Sequence, residues 1–165
     1  MRRKTSPKEE KPKVRPALSR GMLPELVGYH LRRAQVAVFA DFAASIGRHG
    51  LTPGQFGVLD LIRANQGLNQ SELGQAMGVD RSTVVAVIDR LEGRGLVARR
   101  PAPGDRRAHA LCLTEAGGAL LARLEPLVRR HEARLLAGIP KSERALLVHL
   151  LGRVRRNLAG EGAME

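Results

Sequence analysis

From Leu23 to about Gly47, apolar residues recur at every third or fourth position: Leu23, Val27, Leu31, Ala34, Val38, Phe42 and Ile46. That period predicts a helix with one apolar face. Pro24 suits its first turn, and Gly47 and Gly50 end it. A second helix is expected from Pro53, with Thr52 as N-cap, through Phe56, Leu59 and Ile62 to Asn65. Asn69 with Glu72 three residues later forms an Asn variant of the capping box and opens a third helix, which Gly78 interrupts. Asp80 caps a fourth helix, Arg81 to Arg94, closed by Gly95. The helical period then gives way to two short apolar runs, the second being Ala110-Leu111-Cys112-Leu113. Pro101, Pro103 and Gly104 lie between them, which predicts a β-hairpin. A long helix follows from Thr114 to about Ala137, with Pro126 expected to bend or restart it. A last helix runs from Lys141 to about Ala159. The expected fold is mostly α with one small β-hairpin and no internal repeat.

Within this pattern, Gln70 to Val87 has a finer spacing. With Gln70 as the first position, Gly74 is the fifth, Gly78 the ninth and Val84 the fifteenth. In two helices joined by a tight turn, the fifth position lies under the partner helix and must be small. The ninth takes a backbone conformation that favours glycine, and the fifteenth fills the angle between the helices. This is the helix-turn-helix pattern, with Leu73, Val84, Val87, Ile88 and Leu91 facing the core. The opening of the second helix would then expose Arg81, Ser82, Thr83, Val85 and Ala86 to a major groove. There Ser and Thr bond base edges or phosphates, and valine meets a thymine methyl. An ordinary αα-hairpin has similar glycines, so the spacing alone does not decide. The hairpin that follows adds weight, because a helix-turn-helix trailed by a charged β-hairpin is a winged helix. Its tip, Asp105-Arg106-Arg107, can reach a narrow minor groove, where arginine is favoured over lysine. Asp105 is expected to hold the tip by pairing with a neighbouring arginine or with Arg90.

Charge agrees with that partner. The 165 residues hold 28 Lys and Arg against 16 Asp and Glu, a formal net charge of +12. Such a field concentrates polyanions. Between Arg81 and His109, seven arginines face three acids. Residues 1–20 hold eight basic and two acidic residues, are poor in apolar residues, and are expected to be disordered. No apolar run is long enough to span a membrane. The basic N-terminus lacks the apolar core of a secretory signal, and a single cysteine, Cys112, offers no intramolecular disulfide. A cytoplasmic location is expected.

Several local runs together resemble the MarR family of bacterial transcription regulators. They are Leu73-Gly74, Asp80-Arg81-Ser82-Thr83-Val84-Val85, Asp89-Arg90-Leu91-Glu92, Gly95-Leu96-Val97 and Asp105-Arg106-Arg107 with Leu113-Thr114-Glu115-Ala116-Gly117. The order of elements extends the resemblance over roughly residues 23–159. It implies a homodimer built from the first and last two helices, presenting two winged lobes to a pseudo-palindromic DNA operator. It also implies that Arg107 is the wing-tip arginine entering the minor groove. Ala86 departs from relatives that carry a base-reading arginine there, which shifts readout toward Ser82, Thr83, DNA shape and the wing. The implied organisation is a basic tail (1–20), a helical dimerisation region (21–50 and 114–160) and a winged helix-turn-helix lobe (51–113).

The last helix supports self-association independently. Leu146, Leu147, Val148, Leu150, Leu151, Val154 and Leu158 cover far more than a narrow stripe. With Leu23 they form the expected dimerisation surface. Many members of the family release DNA on binding a small molecule, often an aromatic acid. All four aromatics, Tyr29, Phe39, Phe42 and Phe56, fall in the first two helices, near His30, Arg32, Arg33 and Arg48. The resemblance favours a pocket there for a flat anion, an aromatic carboxylate or its coenzyme A thioester, over simple core packing. Cys112 has no group nearby in sequence to lower its pKa, and the five histidines have no metal-ligand spacing. Neither metal nor cofactor is expected. With no nucleophile motif or phosphate loop, an enzyme is disfavoured. A non-specific architectural DNA-binding protein is the alternative, since charge alone gives salt-sensitive affinity.

Overall fold

Capping chemistry sets most of the element boundaries in the computed structural model, which describes residues 18–102 and 105–159; for residues 102 and 105–108 the backbone alone is described. The expected disordered tail thus lies almost wholly outside the described residues. The chain divides into two compact units between Gln35 and Val36. The first contains a short 3-10 turn, Leu23–Glu25, and the opening of helix α1, Val27–Ser45. The expected continuous helix from Leu23 is therefore broken at Leu26, whose backbone is extended (φ −90°, ψ 120°).

In the second unit, α2 (Pro53–Ala64) starts at Thr52, which accepts from Gln55 N at 3.2 Å while the Gln55 amide oxygen accepts from Thr52 N at 3.0 Å. Helix α3 (Gln70–Met77) has the same reciprocal cap from Asn69 and Glu72. It ends on Gly78 with φ at +64°, in the left-handed region. Helix α4 (Arg81–Gly93) is capped by Asp80 and followed by Gly95 at φ +67°. Strands β1 (Val97–Ala102) and β2 (Asp105–Leu113) pair antiparallel from Val97 opposite Leu113 to Ala102 opposite Asp105, with an irregularity at Pro101 and Ala102. Helices α5 (Glu115–Leu135) and α6 (Lys141–Ala159) complete the chain.

One apolar cluster holds the second unit together. It joins Phe42 and Ile46 of α1, Val58, Leu59 and Ile62 of α2, Leu73 of α3, Val84, Ile88 and Leu91 of α4, Leu111 of β2 and Leu120, Leu121 and Leu124 of α5. Each such side chain contributes about 1.5–3 kcal/mol when buried. The surface ion pairs of Arg63, with Asp60 within α2 and with Glu125 of α5, are half-exposed. Pairs of that kind contribute about 0–1 kcal/mol. Burial therefore decides the packing. It also explains why α5 passes through Pro126 without restarting. An interior proline costs about 3 kcal/mol, and buried Leu120, Leu121 and Leu124 with half-buried Leu127 and Val128 outweigh it.

The strand-to-helix corner has the tightest backbone approach. Thr114 caps α5 by accepting from Gly117 N at 3.0 Å, and its hydroxyl donates to the Gly95 carbonyl at 2.6 Å. This folds α5 back onto Leu96, whose carbonyl oxygen would lie only 2.1 Å from a Cβ at position 117. Only glycine fits there. Gly117→Ala is expected to lower stability by about 2–3 kcal/mol, read by chemical denaturation. An unchanged midpoint would mean that the corner relaxes at no cost.

Candidate nucleic-acid interface

The turn between α3 and α4 is built as the spacing requires. A Cβ at Gly74 would lie 3.2 Å from both the Val79 carbonyl oxygen and Val84 Cγ2, so α3 and α4 meet where one of them has no side chain. Val84, Ile88 and Leu91 turn inward with Leu73, and Val87 packs against the same cluster. The opposite face of α4 presents Arg81, Ser82, Thr83, Ala86 and Arg90 to solvent, with Val85 half-buried.

Asp80 organises the exposed end of α4. Its carboxylate accepts from Thr83 N at 2.8 Å, from Ser82 Oγ at 2.5 Å and from Thr83 Oγ1 at 3.0 Å. These bonds, the Ser82 hydroxyl foremost, hold the Asp80 carboxyl down at about 2. The hydroxyl protons of Ser82 and Thr83 are thus engaged with the cap, and their oxygens face outward as acceptors.

Not every arginine of this region faces a partner. Arg94 is folded onto the backbone, donating to the Gly50 carbonyl and, at 3.1 Å, to that of His49. Arg99 on β1 pairs with both Asp89 and Glu92 of α4, and its backbone N–H donates to Glu92 Oε1 at 3.3 Å. The Gln70 amide, its oxygen turned toward the guanidinium, accepts from Arg99 Nε at 3.0 Å and Nη2 at 3.2 Å. A raw charge count therefore overstates what this surface offers to an anion, since two of its arginines are spent on the fold. Arg81, Arg90 and Arg100 remain exposed. Between α3, the α4 start and the hairpin lies an open concavity of about 860 Å³, lined by Gln70, Ser71, Gln75, Arg81, Arg99 and His109 among others. The side chains of Asp105, Arg106 and Arg107, including the expected Asp105 pairing, lie outside the described residues; the backbone of 105–107 belongs to β2.

The aromatic and arginine candidates separate into two groups. Arg33 lies 5.5 Å from the centroid of the Tyr29 ring, and His30 Nε2 is 2.8 Å from the Pro24 carbonyl, all in the first unit. In the second unit Phe39 is half-exposed. Phe42 is buried, 6.4 Å from the half-buried Phe56 ring. Phe42 also meets the ring of His131 edge-on at 5.6 Å. His131, which has no metal-ligand spacing in sequence, is buried with its Nδ1 2.5 Å from Asp41, and Arg134 donates to the same carboxylate at 2.7 and 3.2 Å. The expected dimerisation residues Leu147, Leu151 and Leu158 are exposed, as is Leu23 in the first unit, and Val154 is half-buried. No residue of α6 is fully buried.

A MarR family profile matches residues 49–108, the stretch from the end of α1 into the wing. The chain is 43% identical over 140 residues to a Thauera aromatica protein named for transcriptional regulation of the hcr operon, covering 84% of each. The chain belongs to the MarR family. A second relative in sequence is the HTH-type transcriptional repressor NicR of Pseudomonas putida, 35% identical over 77% of this chain and 80% of NicR. The solved structure of the transcriptional repressor CouR bound to a 23-mer DNA duplex superposes with a TM-score of 0.78. It is 46% identical and covers 86% of this chain and all of CouR. CouR bound to p-coumaroyl-CoA is likewise similar, at TM-score 0.76 and 44% identity over 84% of this chain and 98% of that one.

Two clusters of this MarR chain had no signal in the sequence: Gln70, Asp89, Glu92 and Arg99, and Asp41, His131 and Arg134. Gln70 and Asp41 lie far in the chain from the groups they meet. The separations of 7 and 10 residues from Glu92 and Asp89 to Arg99 run from α4 into β1, across which no helix or strand period holds. The second carries a pH signature. Hydrogen bonds from Arg134 and then His131 hold the half-exposed Asp41 carboxyl at about 2, below its ordinary 3.8. A depressed carboxylate contributes stability above its unfolded pKa and loses it as pH falls through the folded value. Asp41→Asn is thus expected to lower the thermal midpoint at neutral pH, with the gap to wild type closing between about pH 4 and pH 2. Parallel curves across that range would refute the assignment.

Proposed function

We propose that this protein is a dimeric, sequence-specific DNA-binding transcription regulator, a repressor released from a pseudo-palindromic operator by a small anionic ligand. The carrying observation is the exposed start of α4, Arg81 to Ala86, set beside a basic hairpin on a chain of which 86% matches the full length of a DNA-bound repressor. In this reading Arg81, Ser82, Thr83, Val85 and Ala86 face the major groove. Arg90 meets the phosphate backbone, and Arg106 and Arg107 enter the adjacent minor groove with Asp105 steadying the tip. Because Ser82 and Thr83 donate to Asp80, they serve best as acceptors, which suits cytosine or adenine amino groups.

Dimerisation follows from the exposed leucines of α6, since a lone chain leaves Leu146, Leu147, Leu150 and Leu151 in water. Residues 21–50 and 114–160 form the dimer region, and 51–113 the winged lobe. For the effector, the similarity to CouR bound to p-coumaroyl-CoA supports an aromatic acid or its coenzyme A thioester. The candidate effector-binding residues are Tyr29, His30 and Arg33 of the first unit, which supply stacking and cationic groups, and Phe39, Phe42 and Phe56 of the second.

A duplex selected by the protein from a randomised pool is expected to bind roughly three decades more tightly than the pool itself at physiological salt. A ratio near one would favour a non-specific architectural protein. Arg107→Ala is expected to weaken binding to the selected duplex and to reduce the slope of log affinity against log salt by about one. Unchanged affinity and slope, followed by fluorescence anisotropy, would remove Arg107 from the interface. p-Coumaroyl-CoA at a hundred times its dissociation constant is expected to add about 2.7 kcal/mol of stability. The absence of any thermal shift with it or with free aromatic acids would refute the effector class.

A further inference from the structure

Besides the apolar core it shares with α4, the wing is tied to that helix by the side chain of Arg99. Arg99 sits in β1 opposite Leu111 of β2, so whatever fixes Arg99 fixes both strands. Its Nη1 donates to Glu92, its Nη2 to Asp89 and Gln70, and its Nε to Gln70. Three elements converge on this guanidinium: α3 through its first residue, α4 through its last two turns, and the wing. The side chain is 24% exposed and matched by two carboxylates, so it adds no net charge to the DNA-facing surface. It also lines the concavity between α3, the α4 start and the hairpin. The same contacts therefore fix the angle of the wing and the width of that opening.

We propose that Arg99 is a positioning residue for DNA recognition. By tying β1 to Asp89, Glu92 and Gln70 it sets the register between the major-groove contacts of α4 and the minor-groove contacts of the wing, and thereby sequence discrimination rather than overall affinity. This rests on the DNA-binding reading above. The physical reason is that a guanidinium is a planar fork able to hold several acceptors in fixed directions, whereas an ammonium is a point charge on a flexible stem. A wing held by a point charge samples several angles, and only one of them places both groove contacts together on a given site. Random DNA, bound through phosphates in any register, is indifferent to that angle.

The test uses full-length protein, a duplex selected by the wild type from a randomised pool, and the pool itself as non-specific DNA. Arg99→Lys keeps the charge and loses the fork. Discrimination between the two DNAs is expected to fall about tenfold, with pool affinity and salt slope unchanged at a temperature below the unfolding of both proteins. Gln70→Ala, which cuts the tie to α3 and leaves both ion pairs, is expected to move discrimination in the same direction by less, and it serves if the lysine variant does not fold. Equal loss on both DNAs would instead make Arg99 a phosphate contact. Full discrimination in both variants would leave it a purely structural residue. Failure of the wild type itself to select any sequence would overturn the regulator reading and this inference together.

Discussion

The winged lobe depends on how closely two stretches of backbone can lie. At one corner, the carbonyl of Leu96 occupies the space where any residue but glycine at position 117 would place its first side-chain carbon. At the other, Gly74 lets α3 pass under Val79 and Val84. The first approach brings the base of the wing against the start of α5. The second fixes the angle between the two short helices that present the exposed face of α4. Between these two corners, Leu73, Val84, Ile88, Leu91, Leu96, Val97 and Leu111 close over one another. The core can pack only because the backbones have first been allowed to meet.

Charge is layered on that frame in two roles. Some cations look outward: Arg81, Arg90 and Arg100 are exposed on or beside the helix and strands that border the concavity. Others are consumed by the fold, Arg94 on two carbonyl oxygens and Arg99 on two carboxylates. The two kinds alternate along a short stretch of chain and look alike in composition. What separates them is the acceptors each one meets, and these come from other elements of the fold.

That distinction explains how much of the molecule was legible beforehand. The caps at Thr52, Asn69, Asp80 and Thr114, the glycine turns at Gly78 and Gly95, and the inward face of α4 all follow from neighbours within four residues. Sequence periodicity captures such local chemistry. It misjudged the first helix, where the extended backbone at Leu26 interrupts an unbroken apolar period. The restart allowed for at Pro126 does not occur, because the cost of one lost hydrogen bond is local whereas the burial that offsets it is tertiary. Asp41 with His131 and Arg134, and Arg99 with Gln70, are pairings of distant residues whose spacing carries no pattern. The placement of Phe42 against Phe56 and His131 was similarly hidden, since aromatics at helical spacing look the same whether they line a pocket or a core.

The grip of Arg94 on the carbonyls of Gly50 and His49 has a mechanical meaning. It pins the trailing end of α4 to the chain segment that leaves α1, while the leading end at Arg81 is free on the surface. Helix α4 is 13 residues long, so about 20 Å separates the pinned end from the free one. A tilt of about 10° at the pin displaces the Arg81 end by roughly 3.5 Å, about one base-pair step along a duplex. The two hydrogen bonds thus join buried Val84, Ile88 and Leu91 in setting the direction of a helix whose exposed tip lies at the other end. A small rotation at Gly50 is multiplied along the helix before it reaches Arg81.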